Sequence, residues 1–226
     1  MEIVEGVHRI EGVNGNCYIV LNDELTLIDT GFSRGAKRII KFIEQDLHRD
    51  PSELKTIILT HSHYDHMGGA SKIEEGTGAR VAAHRNDAGF IEGTKKPAPP
   101  KGGLGILVSL LSPLVKAKKV KVDLLLNDGD MVGGLKVIHV PGHTLGSIAL
   151  LDSDRRILFS GDALTYRGGR ITPPPSGFTV DTELARQSIA KIASLEFNGM
   201  LGGHGDPLMP NASERVREFL HSPTRP

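Results

Sequence analysis

The sequence predicts an α/β protein with layered packing. Short apolar, β-branched segments alternate with segments that repeat apolar residues at helical spacing, and this interleaving continues through both halves of the chain. The 226 residues suit a single domain, and 38% hydrophobic with 24% charged residues is typical of a folded globular chain. The 27 glycines indicate many tight turns between short elements.

Apolar patterning places the individual elements. We predict strands at 3–10, 17–21, 25–29, 55–60, 80–84, 135–140, 148–151, 156–160 and 200–203. We predict helices at 34–48, 67–75, 181–194 and 213–220. The strand at 55–60 (KTIILT) is mostly apolar and β-branched, as expected of a strand that is buried on both faces.

A segment at about 97–121 interrupts this rhythm. It opens with prolines and glycines typical of a linker, and its apolar stretch at 104–115 is followed by four lysines. The stretch is too short to span a bilayer, which leaves a short packed helix, a lid, a dimer contact or a membrane-surface helix as interpretations. We expect an apolar insertion or lid that borders the functional site within a single domain of residues 1–226.

Charge and cysteine content exclude several classes of protein. Lys plus Arg and Asp plus Glu both number 27, and the resulting net charge of zero is unlike that of a globally basic nucleic-acid binder. Cys17 is the only cysteine, which rules out an intrachain disulfide and a cysteine-based zinc finger. No apolar run reaches the ~18 residues of a membrane span. We therefore expect a cytoplasmic monomer or homodimer with no nucleic-acid partner.

The strongest chemical signal directly follows the strand at 55–60. His61, His63, Asp65 and His66 place four potential metal ligands within six residues. Imidazole and carboxylate groups suit Zn²⁺, Fe and Mn. Residues i and i+2 of an extended chain point to the same side, so His61 and His63 can reach one ion. Asp65 and His66 lie at the turn into the next helix, where the chain can direct them to a second ion.

Three later residues each follow a predicted strand within a glycine-rich turn. They are His143 in VPGHT, Asp162 in SGD and His204 in GGHGD. Turns of this kind are where residues of a functional site usually lie. Together with the first motif they supply seven potential ligands, which is enough for two metal ions.

The order and spacing of these residues resemble the metallo-β-lactamase-fold superfamily. The resemblance covers the chain from about Val4 to His204 and includes Asp29 in LIDTG. It implies a four-layer αβ/βα sandwich, with two mixed β-sheets face to face, helices outside and metals at one edge. It also implies a metallo-hydrolase similar to hydroxyacylglutathione hydrolase (glyoxalase II) or to a lactonase, acting on a small molecule.

The resemblance further implies roles for individual residues. One metal site would consist of His61, His63 and His143, a second of Asp65, His66 and His204, with Asp162 as the bridge. The expected cofactors are two Zn²⁺ per chain, with Fe or Mn as alternatives. Asp65 would also be the catalytic residue that accepts or orients the proton of the nucleophile. Asp29 would orient a ligand by hydrogen bonding. Tyr166 would hold a substrate oxygen, with ordinary packing as the alternative role.

Departures from known members narrow the expected substrate. Asp162 is absent from true β-lactamases, so antibiotic hydrolysis is not expected. His63 stands where di-iron flavoproteins of the superfamily carry a glutamate. The chain is also shorter than glyoxalase II, whose C-terminal region helps to bind glutathione, so the pattern does not specify glutathione.

The expected chemistry is hydrolysis by a metal-bridging hydroxide. Two ions ~3.5–4 Å apart lower the pKa of a shared water toward ~7, and the hydroxide attacks a carbonyl carbon. A thioester is the first expected substrate and a lactone the second, with a phosphodiester as an alternative. Persulfide dioxygenases of the same fold bind one iron, which here would lie on His61, His143 and Asp162. A non-catalytic scaffold is disfavoured, because no ligand of the pattern is missing.

Overall fold

The computed structural model describes residues 1–96 and 118–222, so most of the predicted segment at 97–121 lies outside the described residues. The strands are β1 (Glu2–Val4), β2 (Val7–Ile10), β3 (Cys17–Leu21), β4 (Leu25–Ile28), β5 (Leu54–Leu59), β6 (Arg80–His84), β7 (Leu124–Leu126), β8 (Met131–Val132), β9 (Leu135–His139), β10 (Ile148–Asp152), β11 (Ile157–Gly161), β12 (Thr165–Arg167), β13 (Arg170–Thr172) and β14 (Gly199–Gly202). The α-helices are α1 (Ala36–Lys41), α2 (Tyr64–Met67), α3 (Ala70–Thr77), α4 (Arg85–Ile91), α5 (Thr182–Ala193) and α6 (Ala212–His221). None of the helices in these two ranges is long and apolar enough to cross a membrane.

Two mixed sheets form the frame of the molecule. The first sheet has the order β1-β2-β3-β4-β5-β6-β7; it is antiparallel from β1 to β4 and parallel from β4 to β7. The second sheet has the order β14-β11-β10-β9-β8 and is antiparallel except for the parallel pair of β11 and β14. The short strands β12 and β13 form a separate antiparallel ribbon.

Three apolar clusters separate four layers. Neighbouring residues of β3 point to opposite faces: Ile19 joins the cluster that includes residues of α1 and α3, whereas Tyr18 joins the cluster between the two sheets. The third cluster joins Leu158 of the second sheet to Ile189 of α5 and Val216 of α6. The layers are therefore helices, sheet, sheet and helices, and the expected αβ/βα sandwich is confirmed.

Several elements differ from those that the pattern predicts. The segment 3–10 forms two strands instead of one, because Gly6 has a φ of 73° and reverses the chain between them. The predicted helix at 34–48 begins as a 3₁₀ turn (Ser33–Gly35) and ends as a π-helix (Phe42–Asp46). The patterns do not predict α4, β7, β8, β12 or β13. The four strands are only two or three residues long, too short for a period of two to be recognised.

Candidate metal centre

The segments that follow β5, β9, β11 and β14 bring the seven predicted ligands together; Asp65 and His66 lie in α2, and the other five lie in loops. Within the described residues, three groups each have their ligand atoms within 4.8 Å of one another: His61, His63 and His143; His61, His66 and Asp162; and Asp65, His66 and His204. The four strands belong to both sheets, so the groups meet where the edges of the two sheets face each other. The sequence spacing could not give this proximity by itself, because it depends on how the sheets are stacked.

Within residues 1–96 and 118–222, four buried atoms of this cluster have no hydrogen-bond partner. They are Nε2 of His61, His66 and His143, and Oδ1 of Asp162. Leaving a buried polar atom unpaired costs roughly 1–3 kcal/mol, so such atoms are rare unless another ligand satisfies them. Divalent cations would satisfy all four, and imidazole nitrogen with carboxylate oxygen is a donor set that suits Zn²⁺, Fe or Mn. The residues present therefore fit a metal centre.

Asp162 lies between imidazoles of both outer groups. Its Oδ2 is 3.5 Å from Nε2 of His143 and 3.5 Å from Nε2 of His204. Its Oδ1 is 3.5 Å from Nε2 of His66. A Cβ on Gly203 would collide with Asp162 and with the ring of His66, so glycine at that position leaves room for this arrangement. One carboxylate thus lies within 3.5 Å of imidazoles from both outer groups.

Asp29 supports two of the predicted ligands, His66 directly and His61 through the hydroxyl of Thr60. Its Oδ2 accepts hydrogen bonds from Nδ1 of His66 and from the hydroxyl of Thr60, both at 2.8 Å. Its Oδ1 accepts from the backbone N–H of Thr60 at 2.8 Å. Because the Thr60 hydroxyl donates to Asp29, it accepts from Nδ1–H of His61 at 3.0 Å. Both imidazoles consequently turn Nε2 toward the cluster.

Burial and neighbouring charges set the protonation of the ligands. Burial, with smaller contributions from the surrounding imidazoles, lowers the pKa of His61 and brings the pKa of His143 to about 3. These rings are therefore neutral, the form that binds metal. Burial pushes the pKa of Asp65 upward, but a hydrogen bond with His204 and the charge of His66 outweigh it, and the pKa falls to about 2. Asp65 is accordingly a carboxylate at neutral pH.

Tyr166 contacts Arg215 of helix α6. Its hydroxyl accepts a hydrogen bond from Nη2 of Arg215 at 3.1 Å, and the guanidinium carbon lies 4.8 Å from the centre of its ring. The ring packs against the cluster between the second sheet and the helices α5 and α6. Contact of Tyr166 with a substrate stays a prediction.

Three polar residues near the cluster have contacts that the sequence does not predict. Thr60 links His61 to Asp29, and the hydroxyl of Thr179 lies 3.4 Å from Nδ1 of His143. Asp87 is buried beside the loops that carry the ligands. A threonine or an aspartate outside a motif gives no sequence signal for a role at the site. The one available signal is that Thr60 directly precedes His61.

Known proteins show the same family signature. A family model described as the metallo-beta-lactamase superfamily matches residues 10–204. The probable metallo-hydrolase YflN of Bacillus subtilis is 34% identical, over 92% of this chain and 86% of its own length. The hydroxyacylglutathione hydrolase GloC of Haemophilus influenzae is 28% identical, over 92% and 93%. The human acyl-coenzyme A thioesterase MBLAC2 is 31% identical, over 71% and 61%.

A solved structure supports the fold independently. A metallo-β-lactamase family protein from Thermus thermophilus superposes with a TM-score of 0.74 at 22% identity, over 96% of this chain and 79% of that chain. At that identity the likeness concerns the fold alone. The family match extends over most of the chain and includes every residue of the ligand cluster. The chain belongs to the metallo-β-lactamase superfamily and is a metallo-hydrolase.

Proposed function

We propose that the chain is a binuclear hydrolase that cleaves thioesters, with lactones as its second substrate class. The observation that carries the proposal is the convergence of seven potential ligand side chains. Four buried atoms of these side chains have no hydrogen-bond partner in the part of the chain that the structure describes. Two divalent cations, Zn²⁺ before Fe or Mn, would supply Lewis acidity and a water that ionises near neutral pH. We expect the chain to act as a monomer or a homodimer.

The ligands divide into two triads with different charge. The first triad is His61, His63 and His143, and the second triad is Asp65, His66 and His204. The first triad is neutral once its imidazoles are deprotonated, whereas the second includes a carboxylate. Asp162 lies against members of both and is the residue that we assign as the bridge.

Asp65 is the residue that we assign to orient the attacking water. Its side chain is 31% exposed and therefore meets solvent, and its Oδ2 lies 3.2 Å from Nε2 of His204. As a carboxylate it accepts hydrogen bonds and donates none, so it holds a water by its proton and leaves the lone pair free. The water adds to the carbonyl carbon, the carbon–sulfur bond breaks, and the sulfur leaves as a thiolate, which then takes up the proton that the water has lost.

Two considerations favour a thioester over the other substrates. The thiolate is a weak base, because its conjugate thiol has a pKa of roughly 8.5. It therefore leaves without needing a strong acid beside it. Two relatives are named for such reactions, an acyl-coenzyme A thioesterase and a hydroxyacylglutathione hydrolase. A nucleic acid as the phosphodiester substrate is disfavoured by the net charge of zero, which offers no general attraction for a polyanion.

A substrate panel tests the proposal. Zinc-loaded protein is assayed with acyl-coenzyme A and acylglutathione thioesters, a simple lactone and bis(4-nitrophenyl) phosphate. Iron-loaded protein is assayed with the same substrates and, for oxygen uptake, with glutathione persulfide. We expect the highest kcat/KM on a thioester and loss of that activity after the metal is removed. The highest kcat/KM on the phosphodiester, or oxygen consumption as the main activity of the iron-loaded protein, would contradict the proposal.

A further inference from the structure

A second buried carboxylate, Asp87, lies behind the first triad. It occupies the first turn of α4 and is 1% exposed. Neither the ligand motifs nor the resemblance to the superfamily gives it a role. Its hydrogen bonds go to the two loops that carry the first triad.

The carboxylate of Asp87 joins these two loops. Its Oδ2 accepts hydrogen bonds from the backbone N–H of Ser62 and from the hydroxyl of Thr144, both at 2.8 Å. Ser62 stands between two histidines of the first triad, and Thr144 directly follows the third. Its Oδ1 accepts from the backbone N–H of Gly146, also at 2.8 Å. One side chain thus bonds loops that leave different sheets.

The space around this carboxylate is closed. A Cβ on Gly146 would lie 2.6 Å from Oδ1 of Asp87, so the loop packs directly on the carboxylate. Thr144 is itself fixed by Ser147, whose hydroxyl accepts from the Thr144 N–H at 2.9 Å and lies 2.8 Å from its hydroxyl. The loop after β9 therefore has little freedom to move away from Asp87.

Two other side chains at the N-terminus of α4 contact β9 and the loop after it. Asn86 donates from Nδ2 to the carbonyl of Leu145 at 3.3 Å, and the ring of His84 stacks on His139 at 3.9 Å. His139 lies at the end of β9 and also donates from Nε2 to the carbonyl of Leu145. Among these residues it is Asp87 that also bonds the loop after β5.

We propose that Asp87 is a positioning residue that sets the spacing of the first triad. The inference rests on the metal centre proposed above. A carboxylate suits the place because three donors converge on it, whereas an amide would turn its NH₂ group toward at least one of them. Without this acceptor the two loops lose their common anchor, and the first triad loosens while the second triad keeps its own supports.

Cobalt binding by three variants tests the inference. Asp87→Asn removes the acceptor, Asn86→Ala removes a contact with the same loop, and Asp152→Asn alters another buried carboxylate, which pairs with Arg155 at 2.7 Å. Metal-free proteins are titrated with Co²⁺ against a competing chelator, and absorption spectra and melting temperatures are recorded. We expect Asp87→Asn to weaken one of two Co²⁺ ions by about 10–100-fold and to change its spectrum. Both controls should keep wild-type affinities, even where they lower the melting temperature.

The outcomes separate this inference from the proposed function. Equal Co²⁺ affinities and spectra for Asp87→Asn and Asp152→Asn would overturn the positioning role and leave the metal centre intact. A wild-type chain that binds no Co²⁺ would contradict the metal centre and the positioning role with it. If Asp87→Asn does not fold, Thr144→Val removes one donor at similar volume. We expect it to cause a smaller loss of affinity for the same ion, and unchanged affinity would again overturn the inference.

Discussion

Asp29 and Asp87 are both buried and both accept hydrogen bonds beside the ligand loops, yet they hold them differently. Asp29 bonds the imidazole of His66 directly and reaches His61 through one hydroxyl. Asp87 bonds two backbone N–H groups and the hydroxyl of Thr144. The first contact fixes how rings are turned, and the second fixes how far apart two loops lie.

The position of each aspartate in the fold explains this difference. Asp29 follows β4, which pairs with β5 in the first sheet, so it is next to the loop that it supports. Its φ of 57° lies in the left-handed region, which aspartate tolerates better than most residues. Asp87 instead connects the first sheet with the loop after β9 of the second. Orientation is therefore set within one sheet, whereas spacing is set between the two.

The largest effect is expected at Asp162, which lies between the two triads. Asp162→Asn replaces the carboxylate that contacts imidazoles of both, so we expect kcat to fall by about 10²–10³-fold. Steady-state thioester hydrolysis and metal content per chain measure the loss. Asp154→Asn, at an exposed position eight residues earlier, is the matched control. A variant of Asp162 with near wild-type kcat would show that neither triad needs it.

A smaller effect that reaches both triads is expected at Asp29. Asp29→Asn removes an acceptor for His66 and disturbs the hydroxyl that holds His61, so the affinities of both metal ions should fall by about 10–100-fold. Chelator competition measures each affinity. If only one ion is weakened, as expected for Asp87→Asn, the distinction between the two carboxylates fails.

The smallest effect concerns the His84–His139 stack on the Asp87 side. Burial, followed by the neighbouring His139, lowers the pKa of His84 from 6.5 to about 4. Between these two pH values the unfolded chain binds a proton that the folded chain does not, so stability is lost as the pH falls through that window. When the pH falls through this window, the melting temperature of metal-free wild type decreases. We expect the melting temperature of metal-free His84→Asn to decrease by about 2–4 °C less. Parallel pH curves for the two proteins would contradict this.

The ligand cluster could be predicted because each member carries a signal in its own neighbourhood. His61 and His63 alternate after an apolar strand, and His143 and His204 each stand in a glycine-rich turn after another strand. These residues need no knowledge of the tertiary structure to be recognised. Their grouping into triads, by contrast, is implied only by the resemblance, because it depends on the stacking of the two sheets.

Asp87 and Tyr166 have contacts that the sequence pattern does not predict. Asp87 lies in α4, whose seven residues (RNDAGFI) have no clear apolar period, and its partners Ser62 and Thr144 are distant in the sequence. The role of Tyr166 is implied by the resemblance, through its position four residues after Asp162. In the structure β12 brings its hydroxyl to Arg215, a contact that no spacing could indicate. Contacts between residues far apart in the chain are what the sequence pattern leaves open.

The number of metal ions per chain decides whether the two triads form a binuclear centre. The protein is purified without chelator or added metal, and the elements bound to the wild type and to Asp162→Asn are counted. We expect about two divalent ions per wild-type chain, zinc first among them, and fewer in the variant. About one iron per chain would contradict the binuclear hydrolase and favour oxygen chemistry instead. A wild type without bound metal that also takes up none on titration would contradict the metal centre altogether.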